Sequence, residues 1–316
     1  MNRRFFVKKS LVAGGAAVAA AQAFGDEPAK NPFKREAFRT KFAANFYLIM
    51  KPSTKGMSFV DKLRFFYDCG FRALEDNDMA RRSVEDQKII AKEMERLGME
   101  MGVYTSYAPF GDMFMTGNRR SYKQKIPDKK EAIEIIKKTM TENVEVGKRV
   151  NAKFTTVVPG MYDEQLDFGF QFANVLEHLK YATEICAKAG LTIVLEPLCV
   201  RHPGVWLRRS ADAYALCKAV NSPNCKILFD VYHQQVTEGN LMRSIELAWD
   251  EIAYFHYGDV PMRTEPGSGE INYKNLTQYI WDKGYRGFIG TEHYLSDLSV
   301  KGDEKFVDIY HQIDVK

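Results

Sequence analysis

From residue 41 onward, short apolar runs alternate with longer stretches whose apolar residues recur at helical spacing. The runs near 42–49, 71–75, 99–104, 153–158, 192–196, 226–230, 252–256 and 287–292 predict strands. The periodic stretches near 58–69, 83–97, 130–149, 171–189, 210–220, 240–247, 272–283 and 302–312 predict helices. Gly70, Gly98, Gly190 and Gly284 each follow a helical stretch and precede a strand, where a helix-ending glycine belongs. Strand–helix alternation implies an α/β protein with a parallel sheet. Eight such pairs predict closure into a single-domain (β/α)8 TIM barrel. An open doubly wound sheet would call for a glycine-rich phosphate turn after the first strand, and Asn45-Phe46-Tyr47-Leu48-Ile49-Met50 offers none.

In such a barrel the chemistry gathers at the carboxyl ends of the strands, which directs attention to the residues there. Long loops at 105–129 and 257–271 follow the third and seventh strands. Tyr107, Phe110, Phe114 and Tyr122 in the first loop either cover a site or pack outside it.

Composition sharpens the picture at the amino terminus. Of the 316 residues, 45% are hydrophobic and 27% charged, an ordinary globular balance. Residues 1–23 contain Arg3, Arg4, Lys8 and Lys9 but no acid, and these four account for the whole formal charge of +4. The remaining chain is neutral, so a nucleic-acid partner is not expected. Arg3-Arg4-Phe5-Phe6-Val7-Lys8, a weakly apolar run and Ala21-Gln22-Ala23 read as a twin-arginine signal peptide with its cleavage site. Export to the periplasm is the expectation. Residues 24–40 read as a linker and 41–316 as the barrel. Leu11 to Ala23 is too short to span a bilayer, and no stable membrane insertion is expected after cleavage. Cys69, Cys186, Cys199, Cys217 and Cys225 are scattered and odd in number, and read as buried small hydrophobes rather than a disulfide framework.

Four successive strand ends carry metal-type ligands: Glu196, Asp230, His256 and Glu292. In a closed barrel they converge on one mouth, where three carboxylates repel one another without a cation. One divalent metal ion, Mn2+, Mg2+, Co2+ or Zn2+, suits this oxygen and nitrogen set. Glu75, ending the second strand, is a candidate to reach the mouth and bond substrate. Trp206 either roofs the site or anchors its loop. His178 is expected on an exposed helix face, His311 far from any strand end, and His293 pointing away from the axis.

These motifs resemble the xylose isomerase-like TIM barrels, and within them the hydroxypyruvate isomerase branch. The resemblance runs through Phe42-Ala-Ala-Asn45, Glu196-Pro-Leu-Cys-Val-Arg201, Asp230-Val-Tyr-His233-Gln234, Gly258-Asp259 through Tyr273, and Gly284 through Glu292. It implies that Glu196, Asp230, His256 and Glu292 bind the metal, and that Glu196 and Glu292 are the acid–base pair. His233 and Arg263 match positions that contact substrate oxygens. The branch usually has glutamine where His256 stands; histidine is more typical of ketose epimerases.

The implied activity is a sugar isomerase or epimerase acting on a sugar or keto acid through a metal-stabilised enediolate. The same groups could serve a lyase or dehydratase acting on a keto-sugar or 3-keto-glycoside. A sugar-binding barrel without turnover predicts a missing ligand, and all four are present. A trinuclear zinc endonuclease wants further histidines, whereas the third strand ends in Val103-Tyr104-Thr105 and position 258 is glycine. Association into a homo-oligomer stays open.

Overall fold

The computed structural model describes residues 31–124 and 128–315. The signal segment and the first part of the linker lie outside the described residues. The described residues form nine strands: β1 (Lys41–Asn45), β2 (Ala73–Glu75), β3 (Glu100–Met101), β4 (Val103–Tyr107), β5 (Phe154–Val157), β6 (Thr192–Leu195), β7 (Cys225–Asp230), β8 (Ile252–His256) and β9 (Phe288–Gly290). They pair in parallel in the order β3-β2-β1-β9-β8-β7-β6-β5-β4. Each of the eight expected strands is found, and the third is divided in two at Gly102. The ring closes there, because Gly102 N donates to Leu74 O at 2.6 Å and Asp76 N to Val103 O at 3.2 Å.

Glycine at this point answers a steric demand. A Cβ at position 102 would collide with the Tyr254 hydroxyl and lie 3.0 Å from Leu74 O, so the backbone passes only as glycine. Tyr254 belongs to a trio of rings with Phe154 and Phe288, centroids 5.8–6.0 Å apart, that fills the barrel interior. Ala43 and Ala73 on β1 and β2 leave room for them.

The outer helices are α1 (Phe59–Asp68), α2 (Val84–Leu97), α3 (Phe114–Gly117), α4 (Lys129–Val150), α5 (Phe168–Ala187), α6 (Ser210–Val220), α7 (Val231–Thr237), α8 (Leu241–Ala248), α9 (Tyr273–Asp282) and α10 (Val300–Ile313). Ser58, Ser83, Asp128, Asn272 and Ser299 cap α1, α2, α4, α9 and α10 by accepting an amide hydrogen of the first turn. Gly98 ends α2 in the left-handed conformation, and Asn151 and Asn221 do the same for α4 and α6. Among the described residues, no helix is long and apolar enough to cross a membrane. All five cysteines are free and buried.

Two expectations are corrected. His178 is fully buried, because α5 is covered by α3, α4 and α6; its Nδ1 lies 2.7 Å from Asn174 O. Residues 33–40, read as linker, are docked on the barrel. Phe33 packs its ring on Phe65, Phe38 stacks on His311 at 4.1 Å, and Arg35 pairs with Asp308 at 2.6 Å. Polar residues between these rings masked an aromatic anchor that recurs at five-residue spacing. The 105–129 loop divides its aromatic residues: Tyr107 and Phe114 are buried, Tyr122 is exposed, and Phe110 stacks on His202 at 5.3 Å.

Candidate metal and proton-transfer site

Parallel pairing sets adjacent strand ends side by side. Asp230 pairs in register with His256 across β7 and β8, and His256 with Gly290, two residues before Glu292. Glu196 follows β6 directly. One ligand atom from each of Glu196, Asp230, His256 and Glu292 lies within 4.8 Å of the others, and all four residues are buried. His256 Nδ1 is 2.8 Å from Glu292 Oε2, 3.6 Å from Glu196 Oε1 and 3.8 Å from Asp230 Oδ2.

Charge explains how these groups titrate. Burial, then the neighbouring charge of Glu292, pushes the Glu196 carboxyl up to about 7. Burial opposes ionisation of Glu292 too, but His256 and Arg263 outweigh it and hold that carboxyl well below the usual carboxylate range. Asp230 is raised by burial, partly offset by Arg263. Burial also disfavours charge on His256, yet the Glu292 and Glu75 carboxylates hold it well above the ordinary histidine value.

Both ring nitrogens of His256 are buried without a hydrogen-bond partner, beside three carboxylates. A divalent cation suits that donor set: carboxylate oxygens and an imidazole are its preferred ligands, and its charge offsets the repulsion. The cluster can therefore hold a metal ion.

Above the cluster is a cavity of about 230 Å³, walled in part by Asn77, Phe110, Glu196, His202, His233, Arg263 and Glu292. His233 and Arg263 are thus part of its wall. Asp230 caps α7 by accepting from His233 N at 2.9 Å, which sets the histidine beside the cluster. Burial, reinforced by Arg263, lowers the His233 pKa well below its ordinary value. Arg263 Nη2 donates to Asp230 Oδ2 and Glu292 Oε2 at 2.8 Å each. The loop that carries it is built around Asp259, whose carboxylate accepts from the amides of Val260, Gly267, Gly269 and Ile271 at 2.9–3.1 Å.

Two candidates are not brought to the cavity. Glu75 is fully buried behind His256, 3.3 Å from its Nε2, because its side chain is drawn inward by Asn45 and Tyr254. Trp206 does not line the cavity; its ring stacks on Phe168 at 5.2 Å and anchors its loop. His293 points outward, Nε2 2.8 Å from the Tyr310 hydroxyl. Sequence reasoning missed Asn77, whose Nδ2 donates to Glu292 Oε1 at 2.5 Å. Its position two residues past a strand end was the available signal.

A parallel barrel with two glutamates, an aspartate and a histidine at its carboxyl mouth defines a class of metal-type α/β barrels. This chain belongs to the xylose isomerase-like TIM barrel family, whose sequence profile matches residues 63–306. It is 36% identical over 138 residues to the 2-oxo-tetronate isomerase of Cupriavidus necator, covering 43% of this chain and 53% of that protein. It is 31% identical over 166 residues to the hydroxypyruvate isomerase of Escherichia coli, covering 52% of this chain and 61% of that one. The chain thus spans little more than half the length of these relatives. Among solved structures, a family 2 AP endonuclease from Brucella melitensis superposes with a TM-score of 0.71 at 23% identity, covering 87% of this chain and 100% of the other. At that identity the likeness concerns the fold.

Proposed function

We propose that this chain is a divalent-metal-dependent isomerase or epimerase of small hydroxy-keto compounds, sugars or keto acids, with Glu196 and Glu292 as its acid–base pair. One observation carries the reading. The two glutamates flank Asp230 and His256 on an arc of adjacent strand ends, with one ligand atom of each of the four residues within 4.8 Å of the others, so a carbon held at this mouth has a carboxylate on either side. Glu292 acts as the base, and Glu196 delivers a proton drawn from solvent.

Glu196, Asp230, His256 and Glu292 would hold the ion. When bound, it supplies positive charge beside a carbonyl oxygen and makes the neighbouring C–H acidic enough for a carboxylate. Glu292 takes that proton, leaving the electron pair shared between the carbon that lost it and the carbonyl oxygen, with a double bond between the two carbons. Glu196 returns a proton to the adjacent carbon for isomerisation, or to the opposite face of the same carbon for epimerisation. In isomerisation the hydroxyl proton passes to the former carbonyl oxygen, so atoms balance. Arg263 and His233 line the route by which substrate oxygens enter. The small cavity and the names of the relatives, both isomerases of short keto acids, support a short substrate.

The test is solvent deuterium incorporation into hydroxypyruvate and a panel of keto-sugars by Mn2+-loaded protein. Carbon-bound deuterium with unchanged substrate composition, abolished in Glu292→Gln, supports the reading. Loss of water or of a sugar from the product overturns it in favour of elimination, and absence of exchange across the panel overturns it outright. Export through residues 1–23 belongs to the same proposal, and retention of an Arg3→Lys, Arg4→Lys double variant in the cytoplasmic fraction is its check.

A further inference from the structure

Glu75 contributes nothing to the cavity wall, yet a fully buried carboxylate requires dedicated partners. Three neighbouring strands, β1, β8 and β9, shape its surroundings. Asn45, in register with Glu75 across β1 and β2, donates through Nδ2 to Oε1 at 3.0 Å. Tyr254 of β8 donates its hydroxyl to Oε2 at 3.1 Å. The same Oε2 lies 3.3 Å from Nε2 of His256. On β9, a Cβ at Gly290 would collide with the Glu75 carboxylate and lie 2.7 Å from Cδ2 of His256, so glycine keeps this approach open. Asparagine amide and tyrosine hydroxyl both donate to Glu75, as an acceptor-only group requires.

The two faces of the His256 ring therefore meet different partners. Nε2 faces Glu75, while Nδ1 faces Glu196, Asp230 and Glu292. A neutral imidazole has one N–H and one lone pair, and the partner of one nitrogen decides which is which. We infer that Glu75 is a positioning residue: its carboxylate, 3.3 Å from Nε2 of His256 though not hydrogen-bonded to it, favours the proton on that nitrogen by its charge and so leaves the lone pair, on Nδ1, facing the three carboxylates. The inference rests on the divalent-ion reading of the cluster and extends it to a residue that touches neither ion nor substrate. Tyr254 and Asn45 act in turn by holding Glu75.

Two measurements test it without using turnover. In Zn2+-loaded wild-type protein carrying 15N-histidine, long-range 15N–1H correlation is expected to show Nε2 of His256 protonated and Nδ1 metal-bound. In Glu75→Gln, which keeps the size of the side chain, Mn2+ binding to chelator-treated protein is expected to weaken roughly 10- to 100-fold. Coordination through Nε2, or a Glu75→Gln variant with wild-type Mn2+ affinity, overturns the inference while leaving the ion site standing. Failure of the wild-type protein to bind either ion overturns the reading of the cluster itself, and the inference with it. The first measurement needs no variant, so it decides even if Glu75→Gln does not fold.

Discussion

Arg263 donates from Nη2 to Oε2 of Glu292 at 2.8 Å, so the proposed base is ion-paired by a residue that a loop, not a strand, delivers. Removing the guanidinium leaves Glu292 and Asp230 buried with less compensation. Arg263→Gln is expected to lower the stability of chelator-treated protein by about 2 kcal/mol or more, read by urea unfolding. It should also let Glu292 hold its proton to higher pH, moving the acid limb of the kcat/KM profile upward. An unmoved limb would show that Arg263 does not set the charge of this group.

The ion competes with a proton at Glu196. Burial and Glu292 push its carboxyl up to about 7 before the ion binds, and the protonated form is the weaker ligand. Protonation of this one group is therefore expected to lower Mn2+ affinity progressively below that value, by at most about tenfold per pH unit. Calorimetric titrations between pH 5.5 and 7.5, roughly the window in which that proton exchanges, check both sign and slope.

Phe110 and Trp206 look alike in sequence but differ in situation. Phe110 lines the cavity and stacks on His202; Trp206 stacks on Phe168 away from it. Phe110→Ala should raise KM by about tenfold with little change in kcat, the signature of lost uniform binding. Trp206→Phe should leave both parameters unchanged. Steady-state kinetics on the substrate found by deuterium exchange separate the two.

His178 links acidity to stability. Burial lowers its pKa below the ordinary value of 6.5, whereas the unfolded chain keeps that value. Its contribution is thus present above the ordinary histidine value and is lost as pH falls toward the depressed folded value. His178→Gln should be less sensitive than wild type to a shift from pH 7.5 to 5, about the range over which an unfolded histidine gains its proton, when urea midpoints are compared.

The barrel was legible because each layer repeats one pattern. Apolar runs of strand length and helical periods alternated eight times, and Glu196, Asp230, His256 and Glu292 stood at the strand ends. What sequence left unread depends on neighbours remote in the chain. Glu75 could not be told from a substrate contact, because the two donors that draw it inward lie 30 and 179 residues away. His178 read as exposed because its flanking Glu177 and Lys180 masked a helix covered on three sides. The need for glycine at 102 follows from a tyrosine crossing the interior, an approach no local pattern records.

Residues 33–40 also bear on how the barrel is built. Arg39 and Thr40 donate their amides to Asp314 at 2.7 and 2.8 Å, and Arg35 reaches Asp308 on α10. The first and last segments of the fold are laced together at the amino ends of the strands, opposite the mouth. Fastening and working faces are thereby separate. Mouth loops can be exchanged by an engineer, or by drift, without loosening the knot, while a clone trimmed at Lys41 on the strength of composition would untie it.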